Sequence, residues 1–151
     1  MSNRVVIKDV EPAGYKAMLS LEKYLSETEL DPIHKELIKL RASQINGCAY
    51  CLNMHSKDAR KLGETEQRIY VLSAWRDTTL FTEEEQAILA LTEEVTLIQG
   101  RVSDKVYNRA LELLGEKYLA QVIMAIVAIN AWNRISISSE TKVGAPAATV
   151  A

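Results

Sequence analysis

The sequence lacks long apolar runs and blocks of charge of one sign. Its most apolar stretch, from Tyr118 to Trp132, is shorter than the roughly 20 residues that span a membrane. The 18 Lys and Arg residues are balanced by 20 Asp and Glu residues, and no run of basic residues is longer than two. We therefore expect neither a membrane nor a nucleic acid as a partner.

The N-terminal segment MSNRVVIKDVEP also lacks the apolar run of a secretory signal, so we expect a cytoplasmic location. Cysteine is scarce, because Cys48 and Cys51 are the only two. Two thiols three residues apart in a reducing compartment are more typical of a redox or metal-binding site than of a structural disulfide. No alternating strand pattern and no internal repeat is present. The expected fold is therefore all-α, in a single domain over residues 1–151.

Helix-start and helix-stop residues predict a core over about residues 12–137, with an extended lead-in over residues 1–10 and a loose tail over residues 139–151. Six to seven helices are expected, at about residues 12–26, 31–46, 48–63, 65–75, 82–99, 103–115 and 118–132. The last helix is apolar on nearly every side. Because a domain of this size has little room for such a helix, we expect part of its surface to contact another subunit.

The stretch from Cys48 to His55, CAYCLNMH, carries the most reactive side chains. If it is helical from Cys48 onward, at about 100° per residue, Cys48, Cys51 and His55 fall within one stripe about 100° wide. The same geometry places Tyr50 on the opposite, outer face. Two thiols and an imidazole then share the inner face of one helix.

Glu36 lies at the edge of the apolar stripe of the preceding helix. It is 11 residues, about 16 Å, before Gly47, and His55 is 8 residues, about 12 Å, after that glycine. In an αα-hairpin that turns at Gly47, the two side chains are within about one turn of the same level. We therefore expect Glu36 to reach His55; the alternative is an ion pair with Lys39 or with a basic residue of another helix.

These residues form a minimal set for thiol redox chemistry. A lowered thiol pKa by itself gives only a few-fold gain, because nucleophilicity falls too, so the Glu36 and His55 pair is needed to protonate the leaving oxygen. The sulfenic acid left on one cysteine is then trapped by the other as a disulfide. Proximity to His55 favours Cys51 as the attacking thiol and Cys48 as the resolving one, but the helix dipole favours Cys48, and both assignments stay open.

Glu36, followed after eleven residues by CxxCxxxH, resembles the AhpD-like alkylhydroperoxidases of the carboxymuconolactone decarboxylase superfamily. WRDTTLFTEEE from Trp75 and NAWNRI from Asn130 extend the resemblance over about residues 30–137. It implies an AhpD-like helical bundle, interlocking homo-oligomers (trimers or hexamers) and reduction of a hydroperoxide by Cys48 and Cys51. It further implies Glu36 and His55 as a proton relay and a dithiol or lipoyl-type reductant. The better-known peroxidases of the family have a histidine where this chain has Tyr50.

Three alternatives stay open. The first is an enzyme like the decarboxylases of the superfamily, against which the CxxC pair counts. The second is a non-catalytic, redox-sensing oligomer. The third is a zinc site of Cys48, Cys51 and His55 with His34 or Glu36, although structural zinc usually takes its ligands from two separated pairs. The redox interpretation needs no metal and no other cofactor, and we expect none.

Overall fold

A computed structural model describes residues 4–144, and within that range it contains helices and no strand, which confirms the all-α class. The helices are α1 (Ile7–Val10), α2 (Pro12–Ser26), α3 (Pro32–Asn46), α4 (Ala49–Lys61), α5 (Glu66–Val71), α6 (Glu83–Thr96) and α7 (Asp104–Ser138). Two 3₁₀ segments, Leu72–Asp77 and Ile98–Gly100, follow α5 and α6. Residues 1–3 of the predicted lead-in and residues 145–151 of the predicted tail lie outside the described residues.

The predicted capping residues begin and end the helices. The Asp31 side chain accepts a hydrogen bond from the amide of Ile33, and Pro32 occupies the first turn of α3. Gly47, with φ of 70°, ends that helix. Thr82 and Glu85 form the capping box at the start of α6. These local signals depend on neighbouring residues alone, which is why the sequence predicts them.

Some boundaries differ from the predictions. Ile7–Val10 is helical rather than extended. The helix predicted from Thr65 to Trp75 changes to 3₁₀ geometry at Leu72, and this turn carries Trp75 into the core. The two helices predicted on either side of Gly115 form one element, α7, which breaks at that glycine with φ of 74°. A residue with a side chain rarely adopts this backbone conformation.

Helix α3 lies at the centre of the molecule and packs against α4, α6 and α7. One of its faces places Ile38 and Ala42 in a core cluster with residues of α6 and α7. Another places Leu37 and Leu40 in a second cluster, with Ala59 of α4. Because α3 has apolar neighbours on both faces, the polar residues between these faces, Glu36 among them, are held at fixed positions beside α4.

A half-buried carboxylate, that of Glu93, links side chains from three segments. Glu93 of α6 accepts hydrogen bonds from Arg41 Nε at 2.8 Å, from Trp75 Nε1 at 2.9 Å and from Arg76. Burial by itself would raise the pKa of Glu93, but the hydrogen bonds from Arg76, Arg41 and Trp75 outweigh burial and hold the pKa below its usual 4.5. The ionised carboxylate therefore stabilises the folded chain.

We expect Glu93→Gln to lower the free energy of unfolding at pH 7 by about 1–3 kcal/mol, because Arg41, Trp75 and Arg76 lose a charged acceptor. Since the pKa of Glu93 is lower in the folded chain than in the unfolded one, the stabilisation is complete above about pH 4.5 and is lost as the pH falls through the folded-state pKa. Urea unfolding at several pH values should therefore show the variant approaching the wild type below about pH 4.5. Glu116→Gln, at an exposed position, is the control, and a difference that does not change with pH would contradict the assignment.

Candidate active site

The CxxC motif lies where α3 turns into α4. Cys48 is the N-cap of α4, with φ of −85° and ψ of 94°, so the predicted helical start at Cys48 is one residue too early. Its sulfur accepts a hydrogen bond from the backbone amide of Cys51 at 3.3 Å, as a serine or aspartate oxygen does at other helix starts. This bond turns the Cys48 side chain back over the first helical turn, toward Cys51.

Cys48 and Cys51 are joined as a disulfide, with their Cα atoms 5.3 Å apart. Both side chains are buried, with 1% and 2% of their residue surface exposed. The structure therefore shows the oxidised form of the dithiol.

The structure brings Glu36 of α3 and His55 of α4 into contact. Nδ1 of His55 is 2.9 Å from Oε2 of Glu36, and the two residues are 6% and 8% exposed. Glu36 does not pair with Lys39, whose ammonium group instead donates to Glu22 at 3.1 Å. With Nδ1 held by the carboxylate, Nε2 is the nitrogen of His55 that is left to exchange a proton. His55 lies one helical turn after Cys51, on the same face of α4.

A cavity of about 680 Å³ opens onto this site, within the size range of small-molecule sites. Cys51 and His55 line it, and Cys48 does not. Its other walls come from α1, α2, α3, α4 and the end of α7, and include Tyr15, Leu19, Glu22, Lys39, Tyr50, Met54, Trp132 and Ile135. Tyr50 is exposed, at 38%, as predicted for the outer face of α4, and it also borders the cavity.

Sequence reasoning missed the polar wall of this cavity. Trp132 donates its indole N–H to Glu22 Oε1 at 3.0 Å, and its ring meets Tyr15 edge-on, with the ring centres 5.3 Å apart. The other carboxylate oxygen of Glu22 accepts the bond from Lys39. One chain of hydrogen bonds thus joins α7, α2 and α3. The signal in the sequence was a carboxylate, Glu22, on the otherwise apolar face of α2.

We expect Glu22→Gln to lower the free energy of unfolding by about 2 kcal/mol, because the neutral amide leaves the buried Lys39 ammonium without an ionic partner. The glutamine keeps the volume of the side chain and can still accept the bond from Trp132. Urea unfolding of both proteins at pH 7 measures the difference. Glu27→Gln, at an exposed position just after the same helix, should change the stability by less than about 0.5 kcal/mol. Equal effects of the two variants would contradict this role.

The remaining polar residues singled out in the sequence lie away from the cysteines. His34 is half-buried, with Nδ1 2.7 Å from the hydroxyl of Tyr118. Asn130 accepts a hydrogen bond from Asn46 and donates one to Thr96, so it joins α3, α6 and α7. Across residues 4–144, no group of three His, Cys, Asp or Glu side chains is arranged to hold a metal ion. In the same range, no helix is both long and apolar enough to cross a membrane.

Sequence comparisons match the region that carries this site. The sequence model of the carboxymuconolactone decarboxylase family matches residues 12–94, which include Glu36, both cysteines and His55. The uncharacterized protein YdfG of Bacillus subtilis (strain 168) is 47% identical over 139 residues, which cover 91% of this chain and 95% of YdfG. The uncharacterized protein YnjA of Escherichia coli (strain K12) is 23% identical over 118 residues, which cover 78% of this chain and 63% of YnjA.

Solved structures share the fold. A protein of unknown function from Agrobacterium tumefaciens, for which the antioxidant defence protein AhpD was suggested as the identity, matches with a TM-score of 0.90 and 35% sequence identity. The match covers 93% of this chain and 97% of that protein, and it confirms the predicted AhpD-like fold. An uncharacterized peroxidase-related protein from Silicibacter sp. TM1040 matches with a TM-score of 0.74 and 19% identity over 83% of this chain and 67% of its own. At that identity the likeness concerns the fold alone.

Proposed function

Because the chain belongs to the carboxymuconolactone decarboxylase family and has an AhpD-like fold, we propose that it is a thiol-dependent peroxidase that reduces organic hydroperoxides. One observation carries the proposal. A CxxC disulfide lies one helical turn before His55, His55 contacts the carboxylate of Glu36, and Cys51 and His55 line one cavity that is large enough for an organic substrate. The active residues in this proposal are Cys48, Cys51, His55 and Glu36.

The reaction begins from the reduced dithiol. His55 takes the proton of the Cys51 thiol, and the ionised Glu36 stabilises the resulting imidazolium. The Cys51 thiolate attacks the terminal oxygen of the hydroperoxide, so that the O–O bond breaks and Cys51 becomes a sulfenic acid. The alkoxide that leaves takes the proton from His55 and departs as an alcohol. Cys51 is assigned the attack because it lines the cavity and Cys48 does not.

Cys48 completes the oxidation. Its sulfur attacks the sulfenic acid of Cys51, and the hydroxyl group leaves as water with the proton of the Cys48 thiol. The product is the disulfide seen in the structure. For reduction, the thiolate of an external dithiol attacks Cys51 from the cavity, and Cys48 leaves as a thiolate. The amide of Cys51 and the N-terminus of α4 stabilise that leaving thiolate, which favours this direction of attack.

The reductant in this proposal is a dithiol, either small or carried on a lipoyl-type arm, because Cys51 is only 2% exposed and lies in the wall of the cavity. We place the reaction in the cytoplasm, where such dithiols are kept reduced. No nucleic acid or membrane takes part.

We further propose that the chain forms a homo-oligomer, a trimer or a hexamer. The apolar half of α7 leaves Met124 and Val127 exposed to solvent in the single chain, at 36% and 45%. Apolar side chains side by side on a long helix are typical of a subunit contact. Sedimentation at micromolar concentration should give the mass of the assembly, and Val127→Glu should shift it toward the monomer. A wild-type monomer would contradict this part of the proposal.

The test of the activity is consumption of cumene hydroperoxide by the wild-type protein in the presence of dithiothreitol, with free thiols counted before and after. We expect many turnovers per chain, and a loss of two thiols when the reduced protein meets the peroxide without a reductant. If the disulfide forms once and turnover does not follow with dithiothreitol or with dihydrolipoamide, the chain is a redox sensor and not a peroxidase. If no thiol is lost, both interpretations are wrong.

A further inference from the structure

A second opening lies on the far side of the Glu36–His55 pair. It is a groove of about 200 Å³ between the end of α2, the start of α3 and the end of α4. Its walls are Glu22, Leu25, Ser26, Pro32, Lys35, Glu36, Lys39 and Leu62. The groove therefore contains Glu36, and neither cysteine nor His55 borders it.

The hydrogen-bonded pair of Glu36 and His55 lies between two separate spaces. His55 lines the large cavity and not the groove, whereas Glu36 lines the groove and not the cavity. The ion pair of Glu22 and Lys39 lines both spaces, so it is the partition between them. Both carboxylate oxygens of Glu22 are occupied, one by Lys39 and one by Trp132, which fixes the partition to three helices.

One oxygen of Glu36 is in contact with solvent. Its Oε2 atom is bonded to His55, and its Oε1 atom has no hydrogen-bond partner among the described residues. Within residues 4–144, the only buried side-chain oxygen or nitrogen without a partner is Oε1 of Gln121. Oε1 of Glu36 is therefore accessible to water. The groove is a space that Glu36 borders.

We propose that the groove is a proton-exchange route between solvent and Glu36, separate from the cavity through which substrate and reductant reach Cys51. Its use in turnover rests on the peroxidase function proposed above. When a ligand fills the cavity, water is excluded from Cys51 and His55. Glu36 is then the member of the relay that still exchanges protons with solvent. A proton released from the Cys51 thiol can thus leave, and be replaced, while the cavity is occupied.

The test uses a small acid in place of the Glu36 carboxyl group. In the Cys48→Ser background, the thiol of Cys51 is the only one, and its rate of alkylation by iodoacetamide reports how much thiolate is present. Glu36→Ala should slow alkylation, because His55 loses the carboxylate that stabilises its protonated form. Formate, which fits the space that the side chain leaves, should then raise the rate several-fold.

Two matched variants of α2 identify the route. Ser26 lines the groove and Ser20 lines neither space, and both are exposed serines whose hydroxyls donate to a backbone carbonyl of their own helix. Added to Glu36→Ala, Ser26→Trp should abolish the effect of formate, and Ser20→Trp should leave it unchanged. Leu62→Trp fills the same groove from α4 and should act as Ser26→Trp does.

Either of two results would overturn the proposal. One is a formate effect that persists in both Ser26→Trp and Leu62→Trp, since formate would then enter by another path. The other is the absence of any formate effect in Glu36→Ala. The alkylation assay needs no peroxide. If the protein has no peroxidase activity, the proposed function is wrong, but the effect of formate on the alkylation rate still tests the groove. The two proposals therefore fail separately.

Discussion

Cys51→Ser should lower the rate of hydroperoxide consumption to that of the uncatalysed reaction, whereas Cys48→Ser should react with one equivalent of hydroperoxide and then stop. The difference follows from the position of the two sulfurs. Cys51 lines the 680 Å³ cavity beside His55, and Cys48 is the buried N-cap of α4 behind it. A hydroperoxide in the cavity therefore meets Cys51 first. Without Cys48 the sulfenic acid on Cys51 has no internal thiol to condense with.

The measurement is a single-turnover reaction of each reduced variant with cumene hydroperoxide, followed by mass spectrometry after a sulfenic-acid trap such as dimedone. The adduct should appear on Cys51 of the Cys48→Ser protein and should be absent from the Cys51→Ser protein. Serine is a good N-cap residue, so Cys48→Ser should keep the start of α4 intact and serve as a folded control. An adduct on Cys48 of the Cys51→Ser protein would instead assign the attack to Cys48.

The helices and the Glu36–His55 contact could be predicted because they depend on residues close in sequence. Pro32, Gly47 and the Thr82 capping box act through their own backbone and the next turn. The contact between α3 and α4 follows from the short turn at Gly47, which fixes two antiparallel helices in register. The one-residue error at Cys48 has the same local origin, since a sulfur as N-cap acceptor is an uncommon signal.

The cavity could not be predicted, because its walls come from segments far apart in the chain. Residues of α1, α2 and α7 meet Cys51 and His55 of α4 around this space, and neither periodicity nor spacing brings those segments together. The ionic partner of Lys39 could not be predicted for the same reason. Sequence spacing offered Glu36, three residues away, but tertiary structure supplies Glu22, from another helix. Pairing across 17 residues depends on helix packing, which periodicity alone does not give.

Glu36→Gln should lower kcat for cumene hydroperoxide by about 10²–10⁴-fold, the usual contribution of general acid–base catalysis. The amide keeps the size of the side chain and can still bond Nδ1 of His55, but it no longer stabilises the imidazolium that forms when the Cys51 thiol is ionised. Steady-state kinetics of both proteins measure the loss. The matched control is Glu64→Gln, which removes the charge of another buried glutamate, one bonded to Arg68 and lining neither the cavity nor the groove. It should reduce stability and leave kcat within a few-fold of the wild type.

A double-mutant cycle tells whether Glu36 acts through His55. If the carboxylate works only by supporting the imidazole across the 2.9 Å contact, then removing His55 leaves it nothing to support. His55→Gln should therefore cost about as much as Glu36→Gln, and the double variant should be little worse than either one. Multiplied losses in the double variant would show two independent contributions. In that case Glu36 would act on the site by another path, and the relay from Cys51 through His55 to Glu36 would be wrong.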